Sequence, residues 1–567
     1  MIKNRINKLK KTFNKLEIDG YVIPKNDEFF SEYSKVNKLK IISNFSGSAG
    51  LAIISKKKNY LFVDGRYTIQ AHKESGKYFE IVKYEKIINC DLFQNLTLGI
   101  NSKYFTSDQI KRFFNKNKIK IINSNLIENI FKNNPHKQKR FYSLSKNIVG
   151  EAHTRKIKKI SDWLKKTKSN YLFISAPENV AWLLNIRGHD NPNSPIPNCH
   201  LIMQRNKNFY LISKIDAAKK LIQEKKVKKN QIIDPKKFEI LVNNLNKGKI
   251  IIDKKSCSIF YENLLKKKLQ TIKKDDPIYH LKSIKNSKEI KGMINCHVLD
   301  GVALTKFLYW IKKINKKKIN EFEAQKKLEY FRKLNKNYLF PSFNTIAGTG
   351  ENGAIVHYRA DKKTAKIINK KDIFLCDSGG QYKYGTTDVT RTICFLKPKR
   401  TIKNIFTYVL KSHIAVFSAN LKKYHNGKLI DKLARKNLKK KGLDYKHGTG
   451  HGVGFFLNVH EGPQSISKFN KVKLKPGMIL SNEPGYYKKG KFGIRIENLI
   501  FIKKNKSGME FDNLTYAPID KSLIVKELLS KKEILWLNRY HKKVYQTLKK
   551  YMDKKELDFL KKSCSNI

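Results

Sequence analysis

Acidic residues are scarce: 47 Asp and Glu stand against 119 Lys and Arg in 567 residues, a formal net charge of +72. Cations gathered in one tail or helix would point to nucleic acid or an anionic membrane. Here they run through every segment, mixed with Ile and Asn, as a biased genome composition leaves them. Specific nucleic-acid binding is therefore not expected, only salt-sensitive adhesion to polyanions. Cysteine is scarce as well. The seven (Cys90, Cys199, Cys257, Cys296, Cys376, Cys394, Cys564) are scattered and never spaced as CxxC. That excludes a disulfide framework and a thiolate zinc ribbon, and it suits a reducing cytoplasm. Long apolar runs are missing too; none approaches the ~18 residues that a membrane helix needs. The opening stretch lacks an uninterrupted apolar core and a small-residue cleavage site. Its Ile2, Ile6, Leu9, Phe13 and Leu16 fall on one helical face, so a first helix is expected there rather than a signal peptide.

What is present fits a globular chain of three or four domains, with 40% hydrophobic and 11% aromatic residues. Helical and strand-like stretches alternate, which predicts a mixed α/β (α+β) fold. Residues 19–24, 51–55 and 60–67 read as strands, with turns at 46–50 and at Asp64-Gly65. A second α/β unit follows, in which His189, Asp190 and His200 have no companion cluster and read as structural or substrate-rim groups, structural first. Ser287 is expected to cap a helix bearing Ile290, Met293, Ile294, Val298, Val302, Phe307 and Ile311 on its apolar face. The GTGENG loop that follows lacks the Lys-Ser/Thr ending of a phosphate loop. It leads to a short apolar strand expected to carry His357.

The chemistry concentrates further on. In LCDSGGQYKYGTTDVTRTICF, Asp377 ends a buried apolar run and Gly379, Gly380 and Gly385 mark a hairpin. Asp388 is expected on the returning strand. Two buried carboxylates repel unless something positive lies between them. Cys376 and Cys394, which flank them, read as small core residues. Next, KHGTGHGVGFFLNVHEGP brings His447, His451 and His460 together among glycines. A strand is expected to end at Glu483 before a Pro-Gly turn, and GIRIENLIFI places Arg495 and Glu497 in an otherwise apolar strand. Two Asp, one His and two Glu suit manganese, cobalt, iron or zinc in a paired site. The reaction they imply is metal-assisted hydrolysis.

Set in DSGGQYKYGTTDVTRT, HGTGHGVG, SNEPG and GIRIEN, these five residues closely resemble the metal site of the pita-bread metallopeptidases, in the aminopeptidase P (Xaa-Pro aminopeptidase) branch. NFSGSAGLAII, FVDGRYT, AWLLNIRGHD and TYAPID extend the likeness to nearly the whole chain. The resemblance implies two creatinase-N-like domains (1–140 and 141–277), a pita-bread catalytic domain (278–512) and a C-terminal extension (513–567). It also implies a cytoplasmic homodimer acting on peptides with proline second, without membrane or specific nucleic-acid partners. Two divalent ions come with it, manganese first, with cobalt, zinc or iron as alternatives. Asp377 would hold one, His451 and Glu483 the other, and Asp388 and Glu497 would bridge. By the same likeness Glu483 shuttles a proton, His460 stabilises the tetrahedral intermediate, His357 and His447 line the substrate pocket, and Arg495 orients the carboxylates. Asn191, where an aliphatic residue is usual, and Tyr384, where Asp is common, depart from the pattern. A prolidase shares all five ligands, but the second N-terminal domain and the C-terminal extension count against it. A creatinase-like or non-catalytic relative would have lost ligands.

Overall fold

A computed structural model describes residues 2–88, 90–131, 138–313, 318–506 and 508–567. The chain folds into two compact units, Met1–Ile278 and Tyr279–Ile567. About 39% of it is helix and 22% strand.

The first unit contains two six-stranded sheets of the same design. In the first, Gly20–Pro24 pairs antiparallel with Leu51–Ser55 and parallel with Thr97–Ile100, and further strands extend the sheet on each side. In the second, Tyr171–Ile174 takes the place of Gly20–Pro24. It pairs antiparallel with His200–Gln204 and parallel with Lys249–Ile252. These central strands are buried along their length because their apolar runs are covered on both faces. The helix Ile2–Lys10 buries Ile2, Ile6 and Leu9, the face the spacing predicts. Asp190 accepts from the backbone N–H groups of Lys139 and Asn198, and His200 Nδ1 donates to Ser175 O, so both are structural.

The second unit is built from antiparallel strands backed by helices. Strand Ile373–Ser378 lies between Ile346–Thr349 and Val389–Cys394. A five-stranded sheet runs Glu461–Ile466, Gly450–Gly452, Ile479–Asn482, Asn498–Asn505, Gly508–Asn513. Strand alternation sorts the residues. Phe374 and Cys376 pack with Leu304, Phe307, Leu308 and Ile311 of helix Ser287–Lys313. Asp377 is thereby turned to the opposite face. Each large apolar side chain so buried contributes about 1.5–3 kcal/mol, which holds the strand against its helix.

Several local expectations need correction. Helix Ser287–Lys313 is capped by Asn286, not Ser287: Asn286 Oδ1 accepts from the N–H groups of Lys288 and Glu289, and Glu289 reaches back to Asn286 N. Asp388 lies just before strand Val389–Cys394 rather than on it. His357 sits in a turn after the 3₁₀ helix Gly350–Ala354, not in a strand. The strand before Glu483 ends at Asn482. The GIRIENLIFI stretch is two strands, Phe492–Arg495 and Asn498–Asn505, with Ile496 and Glu497 in the break between them. Cys376 and Cys394, by contrast, are both buried and free, as small core residues should be.

Candidate metal centre

Four segments deliver the five candidate ligands. Asp377 enters from strand Ile373–Ser378, in register with Thr390. Arg495 Nη2 donates to Asp377 Oδ2 at 2.6 Å, while Asp377 Oδ1 is buried with no hydrogen-bond partner among the described residues. Asp388 follows the hairpin. A Cβ on Gly379 would stand 2.0 Å from Thr387 O, so only glycine lets the chain fold back this closely before Asp388.

His451 occupies the middle of the short strand Gly450–Gly452. The strand approaches its neighbour so closely that a Cβ on Gly450 would lie 1.9 Å from Ser481 O. His451 Nδ1–H donates to Gly452 O at 3.0 Å, which fixes the tautomer and leaves the Nε2 lone pair for a ligand bond. That Nε2 lies 3.4 Å from Asp388 Oδ2 and 3.5 Å from Glu483 Oε1. Ser481 Oγ joins the two segments, accepting from His451 N and donating to Glu483 Oε1. Glu497 Oε2 accepts from Thr390 Oγ1 at 2.7 Å. One ligand atom each of Asp388, His451 and Glu497 lies within 4.8 Å of the other two.

The electrostatics of this cluster are those of too much negative charge in too little water. Burial, then the charges of Asp377 and Glu483, push the Asp388 carboxyl well above the usual range. Burial, then Asp388, Asp377 and Glu483, do the same to Glu497. Arg495 alone does not offset this. The bare Asp377 oxygen, the hard oxygen donors and the single oriented imidazole fit divalent cations, with Asp377, Asp388, His451, Glu483 and Glu497 as the candidate donors.

The remaining expected residues surround this core. The rings of His451 and His460 meet edge to face with centroids 4.3 Å apart. His447 Nδ1 donates to Gly448 O, so its Nε2 accepts from the Tyr487 hydroxyl at 2.9 Å, and Arg495 Nη1 donates to that same hydroxyl. His357 is half-buried and follows Val356, whose carbonyl receives Arg495 Nη2 at 3.4 Å. Tyr487, Ser481, Thr390 and Arg391 were not expected from the sequence. For Thr390 and Ser481 the alternation with Thr392 and with Glu483 was the available signal, since such spacing puts polar side chains on one face.

Comparison with known proteins agrees with the fold. Two models described as Creatinase/Prolidase N-terminal domain match residues 5–128 and 132–289. Metallopeptidase family M24 matches residues 291–504, and the C-terminal region of peptidase M24 matches 507–567. The probable Xaa-Pro aminopeptidase P of Coprinopsis cinerea is 34% identical, with 99% of this chain and 97% of that protein covered. Xaa-Pro aminopeptidase 1 of Dictyostelium discoideum is 35% identical over 99% and 96%. Among solved structures, the X-prolyl aminopeptidase of Caenorhabditis elegans, a cytosolic enzyme with a di-nuclear active site, superposes with a TM-score of 0.93. It is 27% identical, and both chains are covered fully. The prolidase of Pyrococcus horikoshii, also 27% identical, gives a TM-score of 0.53 and covers 64% of this chain and 99% of its own. Fold and site thus define a metallopeptidase of the creatinase and prolidase type. Within that class, the chain belongs to family M24, in its Xaa-Pro aminopeptidase branch.

Proposed function

We propose that this chain is a metal-dependent aminopeptidase that hydrolyses the first bond of peptides with proline in second position. The observation that carries the reading is the crowding of Asp388, Glu483 and Glu497 around His451, with Asp377 close enough for its charge to act on Asp388 and Glu497 and with one buried Asp377 oxygen lacking a donor among the described residues. Asp377 would hold one divalent ion, His451 and Glu483 a second, and Asp388 and Glu497 both. When bound, such a pair supplies Lewis acidity and a water whose pKa is lowered toward neutral. Manganese is the proposed metal, with cobalt, zinc and iron as alternatives; availability decides among them.

The chain's own residues do the rest. Glu483, half-buried and hydrogen-bonded on Oε1 by Ser481, keeps Oε2 available to take a proton from the attacking water and return it to the leaving nitrogen. His460, edge-on to His451, donates to the oxygen that gains charge in the tetrahedral intermediate. His357 and His447 bind substrate. Arg495 keeps the Asp377 carboxylate aimed. A bond preceding proline is a tertiary amide without N–H, so an enzyme that reads an extended backbone handles it poorly. A closed site with a pocket for the ring and a carboxylate-rich end for the α-amine selects it instead.

The domain division 1–140, 141–277, 278–512 and 513–567, a homodimer and a cytoplasmic location belong to the same reading. No helix among the described residues is long and apolar enough to cross a membrane. The prolidase reading is less supported, because the prolidase likeness reaches only 64% of this chain. The decisive experiment is hydrolysis of Arg-Pro-Pro and of Ala-Pro by metal-stripped protein refilled with manganese, beside Asp388→Ala. Arginine released from the tripeptide alone, and not by the variant, is the expected result. Cleavage of the dipeptide alone makes the protein a prolidase, and inactivity on both refutes the hydrolase.

A further inference from the structure

Glu497 lies outside any strand, in the break between Phe492–Arg495 and Asn498–Asn505. A ligand on irregular backbone must be held by something other than a sheet ladder. Its neighbours Thr390 and Arg391 hold it at three points. Thr390 Oγ1 donates to the Glu497 carboxylate at 2.7 Å, Thr390 O accepts from Glu497 N at 3.2 Å, and Arg391 Nη1 donates to Glu497 O at 2.7 Å.

Arg391 is 1% exposed, and no carboxylate among the described residues is a hydrogen-bond partner of it. Its other acceptors are Thr390 O, Asn498 Oδ1, Pro518 O, Ala517 O and the Tyr540 hydroxyl, all between 2.8 and 3.0 Å. Three of these, Ala517, Pro518 and Tyr540, come from the segment that follows the last strand of the five-stranded sheet. Tyr540 lies on helix Lys531–Leu548, stacks on Trp536, and donates its own proton to Ala517 O at 2.7 Å. A buried guanidinium without a counter-ion is costly unless every N–H is satisfied, so its position is set by these acceptors together.

We infer that Arg391 and Tyr540 are positioning residues of the metal centre, and that the C-terminal segment thereby fixes the backbone of Glu497. The inference rests on the proposed role of Glu497 as a bridging ligand. Residues behind a ligand set its orientation, and their loss typically weakens metal binding by about 10–100-fold.

The test is manganese affinity of metal-stripped Arg391→Lys and Tyr540→Phe, measured by competition with a chelator, alongside kcat and KM on Arg-Pro-Pro. Lysine keeps the charge but cannot reach all the acceptors; phenylalanine keeps the ring and removes the hydroxyl. Val544→Ala, a fully buried core position one turn further along the same helix, is the control for general loss of stability. Expected is a loss of manganese affinity of about 10–100-fold in Arg391→Lys and a smaller one in Tyr540→Phe. KM should change less than about twofold, because neither residue is placed against substrate, and Val544→Ala should bind manganese like the wild type. If Arg391→Lys does not fold, Tyr540→Phe decides. Wild-type affinity in Tyr540→Phe, or an equal loss in Val544→Ala, overturns the inference. Wild-type protein that takes up no manganese overturns the ligand assignment itself, and the inference with it.

Discussion

Arg495 holds one oxygen of Asp377, Oδ2, at 2.6 Å, while the other, Oδ1, is buried and unmatched by any described residue. The guanidinium also donates to Thr390 Oγ1 and to the Tyr487 hydroxyl, so a single side chain sets the Asp377 carboxylate, the Thr390 hydroxyl behind Glu497 and the phenol beside His447. Arg495→Met should therefore lower manganese affinity by about 10–100-fold and reduce kcat more than it raises KM. Metal titration and steady-state kinetics on Arg-Pro-Pro check this, and an unchanged metal affinity would show that Asp377 is oriented without Arg495.

The crowding of carboxylates predicts opposite effects of one substitution on stability and activity. Asp388→Asn removes one of the mutually repelling groups while keeping its shape. Metal-stripped Asp388→Asn should melt a few degrees above metal-stripped wild type, a shift of about 1 kcal/mol for a domain of this size. Adding manganese should reverse the order, because only the wild type gains binding energy. Melting curves with and without metal suffice; a variant that is less stable in both states would mean the carboxylates are not in conflict.

Acid should destabilise the C-terminal part of the catalytic unit through His541. Its Nε2 accepts from Ile519 N at 3.1 Å, and burial, then Lys521 and Arg391, lower its pKa to about 3. The unfolded imidazole titrates near ~6.5. Because the folded pKa lies below the unfolded one, this stabilisation is full above about pH 6.5 and is lost as pH falls toward the folded value. The loss is about 1.4 kcal/mol per pH unit within that window. Metal-stripped protein should show a urea midpoint that drops between about pH 7.5 and about pH 5, and His541→Gln should show a shallower drop from a lower start. Equal slopes would exclude His541 as a contributor.

Lys282 and Lys285 both donate to Glu461, at 2.9 and 2.7 Å, with all three side chains at most 2% exposed. Strand register places Glu461 opposite Gly452, next in the chain to His451, and Glu461 itself follows His460. Removing the acid alone strands two buried ammonium groups, so Glu461→Ala should cost about 3–5 kcal/mol. Replacing all three with Met or Leu should restore much of that stability. Chemical denaturation of the single and triple variants measures the difference, and a mild single variant would mean that water reaches the lysines.

Much of this was legible in the chain. The candidate ligands are hard, polar residues set among glycines or at the ends of apolar runs, where nothing in a core would otherwise ask for them. The N-terminal helix follows from local rules and appears over Ile2–Lys10, and the Ser530–Glu533 capping box obeys the same kind of rule. What could not be read was decided by distant partners. Asn286 and Ser287 are both good caps, and only the reach of Glu289 selects Asn286. The alternation of Ile494 and Ile496, followed closely by the apolar run Leu499–Ile502, hides the break at Glu497. Arg391 reads as one more charge in a strand of threonines, because Ala517, Pro518 and Tyr540 lie more than a hundred residues away in the chain.

The scattered cysteines give the molecule a set of built-in chemical reporters. Six of the seven thiols are buried and free, and only Cys90 is half-buried. A maleimide should therefore label Cys90 first in the native protein. Cys199 and Cys257 would then time the opening of the first unit, and Cys296, Cys376, Cys394 and Cys564 that of the second. Because Cys376 adjoins Asp377, its alkylation should slow on adding manganese if Asp377 is a ligand, and an unchanged rate would count against that assignment.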